Sequence, residues 1–365
     1  MKLPILDRYI IKKFLSTYFF AIAMIIVIII IFDAAEKMDD FLEAHAPFHE
    51  IAFGYYLNFI PYFVNQFSGL FTFVAVIFFT SKMAYDTEII AMLSSGMSFH
   101  RILWPYFLSA LMIASFSLAL NLFLIPNANT RRIEFETEYT KKNRKIAAAS
   151  EDYINRQIND STFVFIRGFN GMNKSARYFV LETYKGGSIT SSLEAANATF
   201  NSETKAWNAP KYLHRTFDEK GNERFLKSNQ QLDTVIDLIS EELSSTEDLI
   251  QTMTGPQLTQ FITQQERKGS DLVAIFRIEQ HSRYAYPMST FILTLIGVSL
   301  SSRKVRGGTG LHIGVGIALC FSYIILMRFV GEFAKSGALP VAVAMWLPNF
   351  IYLIIGCYLY IKAPK

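Results

Sequence analysis

Long runs of apolar residues without any charged side chain dominate this sequence. Residues 51–80 contain no Asp, Glu, Lys or Arg over 30 positions, and residues 14–32 contain none either. A helix needs about 20 mostly apolar residues to cross the hydrocarbon of a bilayer. The chain is therefore predicted to be a polytopic α-helical membrane protein with six transmembrane helices. The six runs are 14–32, 51–80, 102–125, 284–300, 311–327 (with an extension to 333) and 338–361.

The composition excludes several classes of protein. Charged residues make up 18% of the chain, against about 25% in an ordinary soluble domain, which argues against a soluble enzyme. The net charge of +4 is too small to indicate nucleic-acid binding on its own. Cys320 and Cys357 both lie inside apolar runs, so they indicate neither a disulfide framework nor a cysteine metal site.

The distribution of Lys and Arg predicts the orientation of the chain. With a cytoplasmic N-terminus, the cytoplasmic segments carry eleven Lys or Arg residues, and the short outer loops carry only Lys37 and Lys335. Cytoplasmic loops of membrane proteins are enriched in these residues. We therefore expect both termini in the cytoplasm and a large outer segment between spans three and four.

This outer segment has the sequence pattern of an antiparallel β domain. Short stretches rich in β-branched and aromatic residues alternate with turn signals, and their regular spacing favours a sandwich or jelly roll. Pro210 inside one stretch suggests an edge strand or a bulge. The predicted strands are 161–167, 176–184, 193–200, 206–217 and 224–238, with turns at 168–173, 185–187 and 218–222.

The predicted domain boundaries follow from these patterns. Residues 1–126 hold the first three transmembrane helices, residues 127–270 hold the β-jellyroll domain with flanking helices, and residues 271–365 hold the last three spans. Before the strands, residues 127–145 are charged and predicted to be helical. After them, residues 254–257 have the spacing of a capping box that opens a helix running to residue 268.

The sequence lacks the usual signatures of catalysis. It has no Gly-Lys dipeptide for a phosphate-binding loop, no His-Glu-x-x-His and no Gly-x-Ser-x-Gly. His45 and His49 are four residues apart, but no third metal ligand is evident. We therefore expect a non-catalytic chain that binds no metal or cofactor.

The loop between spans two and three predicts a short amphipathic helix over about residues 84–97. Its apolar residues recur at helical spacing, acidic residues in its first turn suit the helix dipole, and a glycine ends it. Such a helix either docks into a groove of a partner or packs on its own bundle. The residues concerned are Tyr85, Asp86, Glu88, Ile89, Met92, Leu93 and Gly96.

Basic residues near the ends of the spans are the candidates for binding lipid headgroups. Lys37 is the lone base in an acidic loop, where it either meets an anionic headgroup or pairs with Asp33. Arg131 and Arg132 follow span three. A further pair inside span five, Arg328 and Glu332, is spaced to neutralise itself.

The complete arrangement resembles the lipopolysaccharide export permeases LptF and LptG, also called the YjgP/YjgQ family. The resemblance covers essentially the whole chain and lies in the six spans, the β-rich insert after the third and the amphipathic helix after the second. Residues 6–10 resemble the LptG side of the family, residues 88–98 its most recognisable stretch, and residues 163–166 and 195–207 its β strands. The loop after span one is more acidic than in typical relatives.

The resemblance implies a role in an ABC transporter of the inner membrane. Two copies of the ATPase LptB, which bind ATP and magnesium, dock on the coupling helices of the paired permeases, and the amphipathic helix of this chain is then one of those coupling helices. A second LptF or LptG subunit completes the permease, and lipopolysaccharide leaves through periplasmic jelly rolls toward LptC and LptA. Lys37 then falls where basic residues of LptG-like members contact lipid phosphates, and Arg131 and Arg132 match basic residues of the family loosely.

A lipid exporter also needs an apolar path through its β domain. Phe163, Phe165, Phe179 and Leu181 are candidates for holding acyl chains, with an ordinary sandwich core as the alternative. Two other functions remain open at this point. One is a mechanotransmission-type ABC membrane subunit, although those usually have four spans, and the other is a membrane sensor with a ligand-binding outer domain.

Overall fold

The computed structural model describes most of the chain. It covers residues 4–140, 154–170, 174–201, 204, 206–218, 223–228, 232–234, 246–267, 272–302 and 310–363. Its helices are α1 (Ile5–Glu43), α2 (Leu57–Tyr85), α3 (Glu88–Ser94), α4 (Phe99–Ala119), α5 (Ile125–Tyr139), α6 (Thr246–Thr252), α7 (Gly255–Arg267), α8 (Val273–Ser301), α9 (Gly310–Lys335) and α10 (Val341–Lys362). Single π-helical segments, Glu50–Tyr56 and Leu120–Leu124, precede α2 and α5.

Six helices in the described ranges are long and apolar enough to cross a membrane, which confirms the predicted number. Most of them are longer than the apolar runs, because polar turns continue the helix beyond the hydrocarbon. Residues 311–313 belong to α9, although their side chains lie outside what the structure describes. The candidate spans are Ile5–Glu43, Glu50–Tyr85, Phe99–Tyr139, Val273–Ser301, Gly314–Lys335 and Val341–Lys362.

The chain divides into two compact units. The first contains Met1–Glu36, Tyr56–Asn129 and Ala274–Lys365, and we call it the membrane unit. The second contains Lys37–Tyr55 and Thr130–Val273, and we call it the β unit. The β unit therefore includes the C-terminal end of α1 and the π-helical turn, in addition to the insert between spans three and four.

The membrane unit has large apolar residues both in its interior and on its surface. On α1, Phe14, Tyr18 and Ile22 are buried at intervals of four residues, whereas Phe20 and Phe32 on the other faces are exposed. Small polar side chains are buried in the same interior. This distribution suits a bundle in lipid, where small and polar residues mediate contacts between helices. Examples of buried polar residues are Thr72, Thr80, Ser109 and Thr290.

The β unit contains one antiparallel sheet. Its strands are β1 (Ile154–Asn159), β2 (Thr162–Asn170), β3 (Ser175–Lys185), β4 (Ser188–Ala195), β5 (Ala198–Asn201), β6 (Ala206–Ala209), β7 (Tyr212–Phe217), β8 (Glu223–Ser228) and β9 (Leu232–Thr234). The order is β8-β7-β4-β3-β5-β6-β9, with β2 pairing β3 and β1 pairing β2. The expected helical membrane protein with an antiparallel β domain is confirmed.

Strand β3 is the branch point of the sheet, because it pairs with three other strands. β2 runs along one edge of β3. On the other edge, β4 pairs with the C-terminal half and β5 with the N-terminal end. The sheet therefore divides at β3 into a β4-β7-β8 branch and a β5-β6-β9 branch.

Local turn chemistry agrees with the sequence at several points. Lys185 pairs with Ser188, and the two residues between them, Gly186 and Gly187, have φ values of 62° and 83°, as a tight hairpin of this kind requires. At the start of α7, the Gln257 side chain accepts hydrogen bonds from the backbone N–H and hydroxyl of Thr254, so the predicted capping box is confirmed.

Other predicted strand boundaries were wrong. Residues 193–200 divide into β4 and β5, and residues 206–217 divide into β6 and β7. Pro210 lies between the last two, where it ends one strand instead of forming an edge or a bulge. Strand β1 was missed. The predicted turn at 168–173 begins too early, because β2 continues to Asn170. Residues 171–173, 219–222, 229–231 and 235–238 lie outside the described residues.

Close packing of α2 against α8 yields a prediction. A Cβ added to Gly297 would lie 2.8 Å from Val76 Cγ1, whereas one added to Gly314 would meet nothing within 4 Å. Gly297→Leu should therefore destabilise the protein by about 1–3 kcal/mol through overpacking, measured as the thermal unfolding midpoint in detergent. Gly314→Leu is the control, since both changes give the same gain in helix propensity. Equal midpoints for the two variants would contradict tight packing at Gly297.

Candidate functional site

The predicted coupling helix forms a compact corner between α2 and α4. Helix α3 begins at Glu88 and ends at Ser94, so it is shorter than the predicted 84–97. Tyr85 is the last residue of α2, and Asp86 lies in the turn before α3, which corrects the assignment of Asp86 to the first helical turn. Thr87 and Gly96 flank the helix with φ values of 63° and 84°.

The apolar face of α3 packs on its own bundle. Ile89 is buried, and Met92 and Leu93 are half-buried against the same apolar cluster. Tyr85 and Ile90 point the other way and are exposed. Of the two interpretations of the amphipathic pattern, packing on the bundle therefore describes the apolar face, and any partner would meet the face that carries Ile90.

Glu88 is bound within the chain by two residues of α1. The Tyr9 hydroxyl donates to Glu88, with distances of 3.1 Å to Oε1 and 3.0 Å to Oε2. The Lys13 ammonium donates to the Tyr9 oxygen at 2.7 Å and lies 3.5 Å from Glu88 Oε1. A second contact joins Arg101 Nη2 to Asp7 Oδ2 at 2.8 Å, and Asp7 is buried.

In the β unit, the predicted headgroup residue Lys37 lies in a polar and aromatic pocket. Its ammonium is 2.9 Å from Glu136 Oε1, and the two side chains are only 18% and 15% exposed. It also donates a hydrogen bond to the Tyr55 hydroxyl and lies 4.7 Å from the centre of the Tyr55 ring. Partial burial strengthens this pairing relative to a solvated ion pair.

Aromatic rings hold this pocket in shape. Phe41, Tyr55 and Phe135 are all buried, with ring centres 5.3 to 5.6 Å apart. They come from α1, the π-helical turn and α5. The pocket therefore brings together side chains that are far apart in the sequence.

The other two predicted headgroup residues differ in exposure. Arg131 is exposed, whereas Arg132 is buried and donates from Nη2 to Gln251 Oε1 at 3.3 Å. In the membrane unit, the predicted pair of Arg328 with Glu332 was wrong. Glu332 instead binds Lys335, at 2.9 Å, and Arg328 is exposed.

The four residues suggested for an acyl-chain path lie on two faces of the sheet. Phe179 pairs across strands with Ile166, and Leu181 pairs with Val164, on the face that carries the apolar core. We call this the core face. Phe163 and Phe165 pair with Glu182 and Val180, on the opposite face, so the four cannot line a single surface.

Along the strands, the core face becomes less buried and more polar. At one end, Phe179 stacks on Trp207 with a ring distance of 5.3 Å, and both are buried. Leu181 and its cross-strand partner Leu193 come next and are half-buried. At the far end, Ser191 bonds His214 at 2.9 Å. Leu193 belongs to this surface, and sequence analysis missed its role because only the β3–β4 register reveals it.

The opposite face is more polar. Arg215 forms an ion pair with Glu194 and lies 3.7 Å from Glu223. Tyr184 donates a hydrogen bond to Glu182 Oε2 at 2.8 Å. This bond to a carboxylate raises the pKa of the Tyr184 hydroxyl above its ordinary value.

Comparison with protein families gives a match that covers nearly the whole chain. The family is described as lipopolysaccharide export system permease LptF/LptG, and it matches residues 8–362. This chain belongs to the LptF/LptG family. No curated protein matches the sequence.

Membership of the LptF/LptG family gives the chain the general role of a lipopolysaccharide export permease subunit in a membrane. The match includes both the spans and the β unit. Among the residues that the structure describes, no three His, Cys, Asp or Glu side chains come together as a metal site.

The two faces of the β sheet predict different effects of substitution. Phe179→Ala should lower the free energy of unfolding by about 3–5 kcal/mol, because it leaves a cavity in a packed core. Phe165→Ala should cost clearly less, since Phe165 is only half-buried. The measurement is urea unfolding followed by Trp207 fluorescence, with Trp104 and Trp346 replaced by Phe. A larger loss for Phe165→Ala would contradict the assignment of the core face.

Proposed function

We propose that this chain is one of two permease subunits of an ATP-driven exporter. The exporter extracts lipopolysaccharide from the inner membrane and passes it through the β unit toward the outer membrane. The observation that carries the proposal is the family match over residues 8–362, since a single family accounts for the spans and the β unit together. A second LptF or LptG subunit, LptC and LptA complete the assembly.

In this proposal both termini are cytoplasmic and the β unit is periplasmic. The bias of Lys and Arg toward one side supports this orientation. The α3 corner, with Lys82 and Arg101 nearby, then faces the cytoplasm. The pocket of Lys37 and the β unit then lie on the periplasmic side.

The chemistry of the lipid determines what the path must offer. Moving an acyl chain from hydrocarbon into water costs about 0.8 kcal/mol for each methylene, so a lipid with several chains needs continuous apolar contact. We assign this role in the β unit to the core face, where half-buried Leu181 and Leu193 extend the apolar surface beyond Phe179. Phe163 and Phe165 are outside this path.

Two copies of LptB supply the energy in this proposal, and they bind the ATP and magnesium. One copy docks on the exposed side of the α3 corner. Tyr85 and Ile90 support this placement, because large apolar side chains exposed next to a cytoplasmic loop suit a protein interface.

A charge at Ile90 should weaken LptB binding. Ile90→Glu replaces an exposed apolar side chain by a charged one and leaves the buried Ile89 in place. The permease should therefore fold normally, but less LptB should be recovered with it on affinity purification. Ile5→Glu changes another exposed isoleucine, at the start of α1, and is the matched control. Equal LptB recovery by both variants would contradict docking at this face.

The headgroup site requires a competition between two anions. Lys37 lies 2.9 Å from Glu136 Oε1. A lipid phosphate must replace this carboxylate to reach the ammonium, whereas Arg131 is already exposed. Glu136 therefore opposes loading of lipid at Lys37, and Arg131 offers the first contact. Arg132 is buried and supports the site from α5 through Gln251.

Opposite substitutions should separate the two partners of this ion pair. Glu136→Gln should tighten lipopolysaccharide binding, and Lys37→Met should weaken it, each by about tenfold, or about 1.4 kcal/mol. The measurement is equilibrium binding of labelled lipopolysaccharide to the complex in nanodiscs.

Glu134→Gln, an exposed change on the same helix, controls for the loss of a negative charge. If Glu136→Gln and Glu134→Gln have the same effect, long-range charge explains the result. If Lys37→Met binds as well as wild type, the headgroup assignment fails.

A further inference from the structure

Three residues in the first turns of α1 hold both flanks of the α3 corner. Tyr9 and Lys13 bind Glu88 at the start of α3. Asp7 binds Arg101 in the first turn of α4. We call these five residues the N-terminal clamp. Because both contacts reach the same helix, the clamp ties the corner to α1 before and after α3.

Helix α3 depends on such contacts for its orientation. It has only seven residues, and a helix this short is not stable by itself in water. Thr87 precedes it in a left-handed conformation with a φ of 63°, which a residue with a branched side chain rarely adopts. Contacts with the rest of the chain must therefore stabilise α3, and these are the packing of Ile89 and the polar contacts of the clamp.

The packing below the clamp joins the same two elements. Ile89 belongs to one apolar cluster with Ile10 and Phe14 of α1. The polar contacts of the clamp lie beside this cluster, with Lys13 and Glu88 only 26% and 31% exposed. A displacement of α3 that keeps these contacts must therefore carry the start of α1 with it.

This geometry connects Glu88 to α1. The Tyr9 hydroxyl lies within hydrogen-bond distance of both of its carboxylate oxygens, and Lys13 lies beside them. Glu88 thus makes its contacts inside the chain, on the side of α3 that faces α1. The exposed Ile90 lies on the side available to another protein.

We propose that Tyr9 and Lys13 are positioning residues that transmit motion of α3 into α1 when the partner ATPase binds or hydrolyses ATP. This inference rests on the proposed function, and it adds a mechanical link within the permease chain. Breaking the clamp leaves the exposed face of α3 intact. The ATPase then still docks and hydrolyses ATP, but the motion of α3 displaces α1 less. Less lipid is therefore released for each ATP hydrolysed.

The test compares ATP hydrolysis with lipid release in the intact complex reconstituted in proteoliposomes. Tyr9→Phe removes the hydroxyl that bonds Glu88, and Lys13→Met removes the ammonium. Each should reduce lipopolysaccharide released per ATP by about fivefold or more, as expected for loss of coupling between sites. Hydrolysis itself and the thermal midpoint of the complex should stay near wild type.

Lys12→Met is the matched control. Lys12 is exposed and makes no hydrogen bond or ion pair with the described residues, so its substitution should leave the ratio of lipid to ATP unchanged. An unchanged ratio in both Tyr9→Phe and Lys13→Met would overturn the proposal. So would equal loss in the Lys12 control.

If the single variants lose stability, exchanging the two charges still tests whether the contact between Lys13 and Glu88 matters. Lys13→Glu combined with Glu88→Lys restores an ion pair between α1 and α3. The double variant should release more lipid per ATP than either single variant, and no recovery would overturn the clamp. Wild-type complex that shows no ATP-dependent release would instead contradict the proposed function, so the two failures are distinguishable.

Discussion

Hydrocarbon offers no hydrogen bonds, and this constraint governs the membrane unit. Each span must satisfy its backbone groups within a helix, and polar side chains in the bundle must find partners on neighbouring helices. Tyr18 bonds Ser68 at 2.7 Å, and Thr80 bonds Tyr106 at 3.0 Å. Such contacts join helices that apolar side chains alone would not orient, since lipid competes equally for those side chains.

The last three spans show the same principle. Tyr323 of α9 donates to the Asn349 side chain of α10 at 2.9 Å, and the Asn349 amide donates to the Ala285 carbonyl of α8 at 3.0 Å. One asparagine thereby connects three helices. Because leaving such a group without partners in hydrocarbon costs several kcal/mol, the network selects one arrangement of these helices.

Charged residues follow a related rule at the ends of the spans. Lys37 and Glu136 are paired in the β unit, and Lys13 and Glu88 are paired in the membrane unit. These residues are also candidates for function: binding of an anion at Lys37 would replace an existing contact, whereas the proposed role of Lys13 and Glu88 depends on keeping one. An ion pair of moderate strength can exchange one partner for another, as we propose for Lys37.

The sequence by itself determined the features that depend on neighbouring residues along the chain. These are the six spans, the β-rich insert, the Gly186–Gly187 turn and the capping box at Thr254, because hydropathy, turn geometry and capping act over short distances. Tertiary structure alone decided which distant residues meet. Glu136 is 99 residues from Lys37, and Glu88 is 79 residues from Tyr9. Strand register likewise placed Phe163 and Phe179 on opposite faces, since alternation along a strand gives two faces but does not say which one is buried.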